Sequence, residues 1–196
     1  YPTHRQTQDE VIAGFDAAWA FYGGVFAVII PDNLSPVVDR ADPIDPRFTD
    51  GFREYAHARG FVIDPARVRH PQDKPRVEAG VKYAQRSFFA GEEFLDLADC
   101  RARAQQWCAQ VAGLRVHGTT RARPAEVFAE QELPLLGPAP QGPFAIPVFS
   151  KPLVARDRHV EVSRAVYSVP GELIGTRIQA RADATTVKLY HRGQLL

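Results

Sequence analysis

Apolar residues recur every three or four positions in the first part of the chain, which is the spacing of an amphipathic helix. Thr7 and Glu10, three positions apart as in a capping box, begin this run, and Gly23 follows its end. The pattern predicts a helix over residues 7–22 whose buried face carries Val11, Ile12, Phe15, Ala18, Trp19 and Tyr22.

The spacing changes after this helix. Residues 25–30 are apolar and mostly β-branched and end at Pro31, a composition typical of a buried strand. Asp32 therefore follows the carboxyl end of a predicted strand. A second amphipathic stretch at 48–59 and a short strand at 61–63 complete a helix–strand–helix–strand order, which indicates an α/β fold.

Helical spacing returns further along the chain. It predicts helices at 77–89 and 92–111, and Pro124 is well placed to begin a short helix that continues to Gln131. Glu78 is predicted to lie in the first turn of the helix at 77–89. An acidic residue therefore stands near the start of the helix that follows the second strand.

The last third of the chain has a different composition. The segment 133–147 contains five prolines and two glycines, which suits a stiff linker. Short β-rich runs separated by turn residues come after it and predict a small all-β barrel or sandwich. We expect three parts: a first domain at 1–132, a Pro-rich linker at 133–150, and a β domain at 151–196.

Composition sets limits on the classes of function. The 196 residues, 45% of them hydrophobic, suffice to bury a core, and the net charge is only +1. Residues 151–196 nevertheless hold eight Lys or Arg against four acids, and local basic surfaces bind phosphate.

No apolar run approaches the about 18 residues that cross a bilayer, so no membrane association is expected. The two cysteines, eight positions apart on one predicted helix, are too distant for a disulfide and favour a reducing cytoplasm.

Asp32 and Glu78 are the acids whose predicted positions suit metal chemistry. Phosphoryl transfer with two divalent ions roughly 4 Å apart needs carboxylates from separate elements, and hard cations prefer oxygen ligands. An acid after a strand and another on a nearby helix meet that need. Helix capping or an ion pair would explain the same two residues, and the residues alone leave these interpretations open.

Two motifs around these acids resemble the IstA-type transposases of bacterial insertion sequences, within the retroviral-integrase superfamily. They are IPDNL at 30–34 and PQDKPRVE at 71–78, with 45 residues between Asp32 and Glu78. In that family the same stretch is the second half of the catalytic core.

The resemblance continues beyond the acids. HGTT at 117–120 and RPAEVF at 123–128 resemble the segment that closes the core, and YSVP at 167–170 resembles the signature of the family's small C-terminal β domain. Nearly the whole chain is covered. The resemblance implies an RNase H-like α/β catalytic core, incomplete at its N-terminus, followed by a small β barrel.

By this resemblance, Asp32 and Glu78 are the second and third acids of an Asp-Asp-Glu triad that holds two Mg²⁺ or Mn²⁺ ions. Because the sequence has no methionine and begins at Tyr1, we expect a fragment of a longer protein. The first acid is expected upstream of Tyr1, and without it we expect the fragment to be inactive alone. The activity implied for the parent is DNA cleavage at the element's ends, followed by attack of the freed 3′ hydroxyl on target DNA.

Four basic residues near Glu78 are expected to hold DNA phosphates. Lys74 and Arg76 stand just before it, and Lys82 and Arg86 follow it by four and eight residues. A solvated helix face explains each of them equally well. The arginines of residues 151–196 likewise suit DNA, a neighbouring subunit or solvent.

The resemblance also implies partners. They are the transposon ends and target DNA, further copies of the chain, and an AAA+ ATPase helper, in the bacterial cytoplasm at the nucleoid. The alternative function is a non-catalytic module for DNA binding or transpososome assembly.

Overall fold

The computed structural model divides the chain into two compact units, Tyr1–Pro143 and Phe144–Leu196. The division falls within the segment 133–150 that the composition predicts to be a linker. No helix in the part of the chain that the structure describes is long and apolar enough to cross a membrane. The structure describes residues 1–31, 37–40, 47–64 and 74–196, without the side chains at 38–40, 47 and 74–77.

Helix α1, Gln8–Tyr22, confirms the first predicted helix. Its N-cap is Thr7, whose hydroxyl accepts a hydrogen bond from the Glu10 amide at 3.3 Å. Gly23 ends the helix with a φ of 76°, a left-handed conformation that glycine adopts without steric cost. Local sequence therefore sets both ends of α1.

The strands β1, Val28–Ile29, and β4, Val62–Ile63, pair in parallel. Between them the chain contains the antiparallel pair β2, Val38–Arg40, and β3, Arg47–Phe48, and then the helix α2, Asp50–Arg59. Parallel neighbours need a crossover connection, and this segment provides it. The order strand, helix, strand is as predicted, but both strands are shorter than the predicted runs.

One face of the β1–β4 pair is open to solvent within the described residues. Val28, Ile30 and Val62 are 51%, 54% and 64% exposed. Val28 pairs with Val62, and the two-residue period of a strand puts Ile30 on the same face. Parallel sheets usually have both faces covered. The expectation that residues 25–30 form a buried strand is therefore wrong for this face.

Aromatic side chains between α1 and α2 form the core of the first unit. Trp19, Phe52 and Tyr55 are almost completely buried. The rings of Phe15 and Phe61 lie beside them, with centroids 6.2 Å apart from each other. Offset and tilted ring pairs of this kind add to the stability gained from burying apolar area.

A series of hydrogen bonds follows one side of this core. Trp19 Nε1 donates to the Tyr55 hydroxyl at 2.8 Å, and that hydroxyl donates to Asp16 Oδ1 at 2.8 Å. Arg59 donates to both Asp16 oxygens, each at 3.0 Å, and to the Gly142 carbonyl at 2.9 Å. Burial and the Asp16 carboxylate raise the pKa of Tyr55, so its hydroxyl stays protonated and a donor well above neutral pH.

Helix α3, Lys74–Ala84, continues into a π turn, Gln85–Phe89. It begins three residues before the predicted start, so Glu78 lies in its second turn rather than in its first. All five residues from 78 to 82 are exposed. This half of α3 therefore projects from the first unit instead of packing against its core.

Helix α4, Leu97–Trp107, is followed by a π turn, Cys108–Ala112. It starts later than the predicted residue 92 because Asp96 caps it, accepting from the Asp99 amide at 2.8 Å. The Asp99 carboxylate in turn accepts from the Leu95 amide at 3.1 Å. Leu95 precedes the helix and is 94% exposed, although its hydrophobicity suggested a helix face. Both cysteines are free thiols.

The first residues of the predicted linker belong to the first unit. Helix α5, Pro124–Val127, leads through a π turn, Phe128–Glu132, into a 3₁₀ turn, Leu133–Leu135. Val25 and Gly137 then exchange two backbone hydrogen bonds, of 3.1 and 2.8 Å. This bridge attaches the chain after α5 to the segment that leads into β1.

Gly24→Ala is expected to lower the free energy of unfolding by about 1–3 kcal/mol, because it overpacks this bridge. A Cβ at Gly24 would lie 2.6 Å from the Gly137 carbonyl oxygen and 2.7 Å from Leu136 Cβ. Urea unfolding followed by circular dichroism measures the change. Gly80→Ala is the control, since no atom lies within 4 Å of the new Cβ and alanine favours a helix. Equal stability of the two variants would contradict the described packing.

The second unit contains two antiparallel sheets. Its strands are β5 Val148–Ser150, β6 His159–Val162, β7 Ala165–Ser168, β8 Gln179–Ala182, β9 Val187–His191 and β10 Gln194–Leu195. Four of them form a sheet in the order β10–β9–β8–β5, and β6 pairs with β7 as a hairpin. The end of the predicted linker, 148–150, is thus a strand of this sheet.

The predicted small β barrel is not closed. Within the described residues no strand pairing joins the β6–β7 hairpin to the four-stranded sheet. The two sheets instead bury a common core. This corresponds to the sandwich alternative, and the core consists of Val154, Val160, Val162, Val169, Leu173, Ile178, Ala180 and Ala182.

The second unit is expected to lose stability in acid through Asp183. The Arg181 guanidinium, at 2.6 Å, and the amides of Thr185 and Thr186, at 2.9 and 2.8 Å, hold the pKa of Asp183 well below its usual range. When the pKa of a carboxyl is lower in the folded state than in the unfolded state, the carboxylate stabilises the fold at pH values above the unfolded-state pKa of about 4. This contribution is lost as the pH falls from that value towards the lower pKa of the folded state.

Asp183→Asn should therefore be less stable than the parent at neutral pH and should approach it near pH 2. Thermal unfolding between these pH values measures the difference. Glu161→Gln, at an exposed position on β6, is the control for removing one carboxylate. A constant difference between Asp183→Asn and the parent at every pH would contradict the prediction.

Candidate catalytic and DNA-binding residues

Glu78 lies on the outside of α3. The helix begins at Lys74, and Pro75 occupies the first turn, where a missing amide costs no helical hydrogen bond. Glu78 is the fifth residue of the helix, and its side chain is exposed like those of its neighbours as far as Lys82. A carboxylate in this position is accessible to a metal ion, to DNA-bound cations or to solvent.

Asp32 lies outside the described residues, three positions after the end of β1. The parallel pairing places the carboxyl ends of β1 and β4 at one edge of the sheet, where the Asp64 amide donates to the Ile29 carbonyl at 2.9 Å. Asp64 is exposed. The sequence analysis missed it, although an acid directly after a short strand is the signal that identified Asp32.

The described residues do not assemble a metal site. No three His, Cys, Asp or Glu side chains among them come close enough to hold an ion. Asp64 and Glu78 carry the oxygen ligands that Mg²⁺ prefers, but they do not form such a group. The two-metal site stays a prediction that depends on Asp32 and on a further acid.

The predicted DNA-binding residues all lie on α3 and its π turn. Lys82 is exposed one turn after Glu78, and Arg86 is exposed in the π turn. Lys74 and Arg76 are in the first turn of α3, and their side chains are outside the described ones. Lys74 and Lys82 stand four residues before and after Glu78 in α3, which is the spacing of one helix face, whereas the regular α-helical spacing ends before Arg86, where the π turn begins.

The basic residues of the second unit lie at its surface. Of the eight Lys and Arg side chains in 151–196, seven are exposed. Arg181 is the half-buried member and forms an ion pair with Asp183 at 2.6 Å. Exposed positive charge of this density favours a polyanionic partner.

Residues 139–196 match the protein family described as "Mu transposase, C-terminal domain". The match includes the whole of the second unit, Phe144–Leu196, and the YSVP motif at 167–170.

Three curated proteins are similar along nearly the whole chain. "Putative transposase Rv3428c" of Mycobacterium tuberculosis is 37% identical over 190 residues, which are 96% of the chain and 46% of that protein. "Putative transposase y4bL/y4kJ/y4tB" of Sinorhizobium fredii is 34% identical over 99% of the chain and 38% of its own length. "Putative transposase for insertion sequence IS408" of Burkholderia multivorans is 31% identical over 98% of the chain and 38% of its own length. The chain spans less than half the length of each of them.

Proposed function

Because the chain belongs to the transposases of bacterial insertion sequences, we propose that the protein containing it cuts DNA at the ends of such an element and joins them to a target. The observation that carries the proposal is the 37% identity over 96% of the chain, which includes both units. The aligned part of the chain therefore includes the regions of Asp32 and Glu78 as well as the β unit.

The proposed catalytic core is an RNase H-like α/β fold. Its support is the parallel β1–β4 pair with its crossover through α2, and the presence of Asp64 at the carboxyl edge of that pair. Asp32 and Glu78 act as two acids of an Asp-Asp-Glu triad, with a third acid from a part of the protein outside this chain. Bound Mg²⁺ or Mn²⁺ would offset the charge that develops on the transferring phosphoryl group.

DNA at the element's ends and at the target is the proposed substrate. Lys74, Arg76, Lys82 and Arg86 contact its backbone beside Glu78, and such contacts fix position rather than read sequence. The resemblance of the motifs to IstA-type transposases supports three further proposals: assembly with other copies of the chain, an AAA+ ATPase helper, and a cytoplasmic location at the nucleoid.

A second candidate is a non-catalytic module that binds DNA or assembles a transpososome. One observation favours it: the second unit has seven exposed basic side chains. In that case the chain holds DNA while other residues perform the chemistry.

A strand-transfer assay with the longer protein separates the two candidates. Labelled DNA with the element's ends is mixed with a plasmid target and Mg²⁺, and joined products are resolved on a gel. We expect joining that stops when EDTA removes the metal. DNA binding without joining, in Mg²⁺ and in Mn²⁺ alike, would support the non-catalytic module.

A further inference from the structure

Four of the five non-glycine residues with positive φ in the described chain are arginines. The angles are 56° at Arg121, 65° at Arg158, 66° at Arg164 and 51° at Arg192, and the fifth residue is Ser163 at 51°. Apart from glycine, asparagine and aspartate, residues rarely adopt this left-handed conformation, because Cβ crowds the backbone. Backbone preference therefore does not explain arginine at these positions.

Arg164 and Arg192 each occupy a two-residue hairpin turn. Ser163 and Arg164 connect β6 to β7, and Arg192 and Gly193 connect β9 to β10. All four have positive φ, which is the geometry of a type I′ turn. Asn-Gly stabilises such turns, and arginine at either central position is strained by comparison.

The guanidinium groups of Arg158, Arg164 and Arg192 have no partner among the described residues that would explain them, although the aliphatic stem of Arg158 lies beside Gly171. All three residues are exposed, and none of the guanidinium groups makes an ion pair or a hydrogen bond with another described residue. Arg181 and Arg59, by contrast, form ion pairs with Asp183 and Asp16. The fold therefore gains nothing from these three charges.

We propose that Arg158, Arg164 and Arg192 are phosphate contacts, and that the second unit binds duplex DNA through the tips of its turns. This inference rests on the proposed function, in which DNA is the substrate. Eight basic residues against four acids give the unit a positive field that attracts the backbone of DNA. The strained backbone at each turn is retained because the charge there is needed for binding.

The spacing of two of these arginines fits a backbone contact. Arg158 immediately precedes β6 and Arg164 follows it, so the two lie at opposite ends of the hairpin. At about 3.4 Å per residue the hairpin is roughly 15–20 Å long. Phosphates on one strand of DNA rise by about 3.4 Å each along the axis, so the two arginines reach phosphates several nucleotides apart.

The test compares two neighbouring substitutions in the same turn of the full chain. Arg164→Asn removes the charge and Ser163→Asn does not, while asparagine suits the left-handed conformation at both positions. Fluorescence anisotropy with a short labelled duplex of arbitrary sequence gives the affinity across a salt series. Thermal unfolding gives the stability of each variant.

We expect Arg164→Asn and Ser163→Asn to unfold at the same or a higher temperature than the parent. Arg164→Asn should bind several-fold more weakly, and its salt dependence, log K against log [salt], should be shallower by about 0.9. Ser163→Asn should bind like the parent, and Arg164→Lys should keep most of the affinity. The triple variant at Arg158, Arg164 and Arg192 should lose at least about tenfold, with a slope shallower by about 3.

Two results would overturn the inference in different ways. If the parent chain binds the duplex and the triple asparagine variant binds equally well, the turn arginines are not phosphate contacts, although DNA binding itself stands. If the parent chain does not bind duplex DNA even at low salt, DNA binding by this part of the proposed transposase fails together with the inference.

Discussion

Glu78→Gln is expected to abolish strand transfer by the protein that contains this chain and to leave its folding unchanged. The side chain is exposed on a stretch of α3 where all neighbours from 78 to 82 are exposed, so an amide of the same size disturbs no packing. The loss of the negative charge, however, lowers the affinity of the proposed site for a divalent metal ion. We expect at least about a hundredfold lower rate, since even outer-shell partners of metal ligands are worth 10–100-fold.

The rate of joining of labelled element ends to a plasmid in Mg²⁺ measures this effect, and thermal unfolding checks the fold. Glu130→Gln is a matched control, because Glu130 is also an exposed glutamate, on the π turn after α5. Asp32→Asn should be as inactive as Glu78→Gln. Full strand transfer by either variant would eliminate that residue as a metal ligand, and equal losses in Glu130→Gln would point to a general effect of charge.

Trp19→Ala is expected to lower the free energy of unfolding of the first unit by about 3–5 kcal/mol, the usual cost of removing a large buried aromatic side chain. Trp19 is 1% exposed and packs against Phe15, Phe26 and Phe61, with ring centroids 5.7, 6.1 and 5.9 Å away. Its indole also donates to Tyr55 at 2.8 Å, so the substitution removes a buried hydrogen bond together with the ring.

Urea unfolding monitored by circular dichroism gives this free energy. The two tryptophans of the chain provide a comparison, because Trp107 Nε1 is buried without a hydrogen-bond partner among the described residues. Trp19→Phe should cost about 1–3 kcal/mol through the loss of its bond to Tyr55, whereas Trp107→Phe loses no such bond. Equal costs for the two phenylalanine variants would argue against the Trp19–Tyr55–Asp16 hydrogen bonds.

The sequence predicts those parts of the fold that neighbouring residues determine. Thr7 and Gly23 at the ends of α1, and Gly60 at the end of α2, act through bonds to residues a few positions away. The start of α4 was predicted too early because the apolar spacing outweighed the capping bonds, in which Asp96 accepts from the Asp99 amide and Asp99 accepts from the Leu95 amide.

Features that depend on distant contacts were not predictable in this way. The bridge between Val25 and Gly137 joins residues far apart in the chain, and no local pattern indicates it. Strand pairing between distant parts of the chain likewise determines two further features. These are the open face of the β1–β4 pair and the separate sheets of the second unit. Residue composition shows which segments favour β structure, but it does not specify their pairing.

The candidate site was predictable in part. The types of its residues, an acid after a strand and a second acid among basic residues on a helix, follow from the sequence, and the structure places Glu78, Lys82 and Arg86 at the surface. Asp64 directly follows a predicted short strand and so carries the same local signal as Asp32, but its position beside the end of β1 depends on a non-local contact. The grouping of acids around metals remains a prediction for the same reason.

The open face of the β1–β4 pair also bears on how the chain behaves at high concentration. Val28, Ile30 and Val62 form a contiguous apolar row on strands that have only each other as partners among the described residues. Unpaired strand edges beside an apolar surface are where polypeptides self-associate through added strands. We therefore expect self-association of the chain to begin at this row, which lies far in sequence from the basic turns of the second unit.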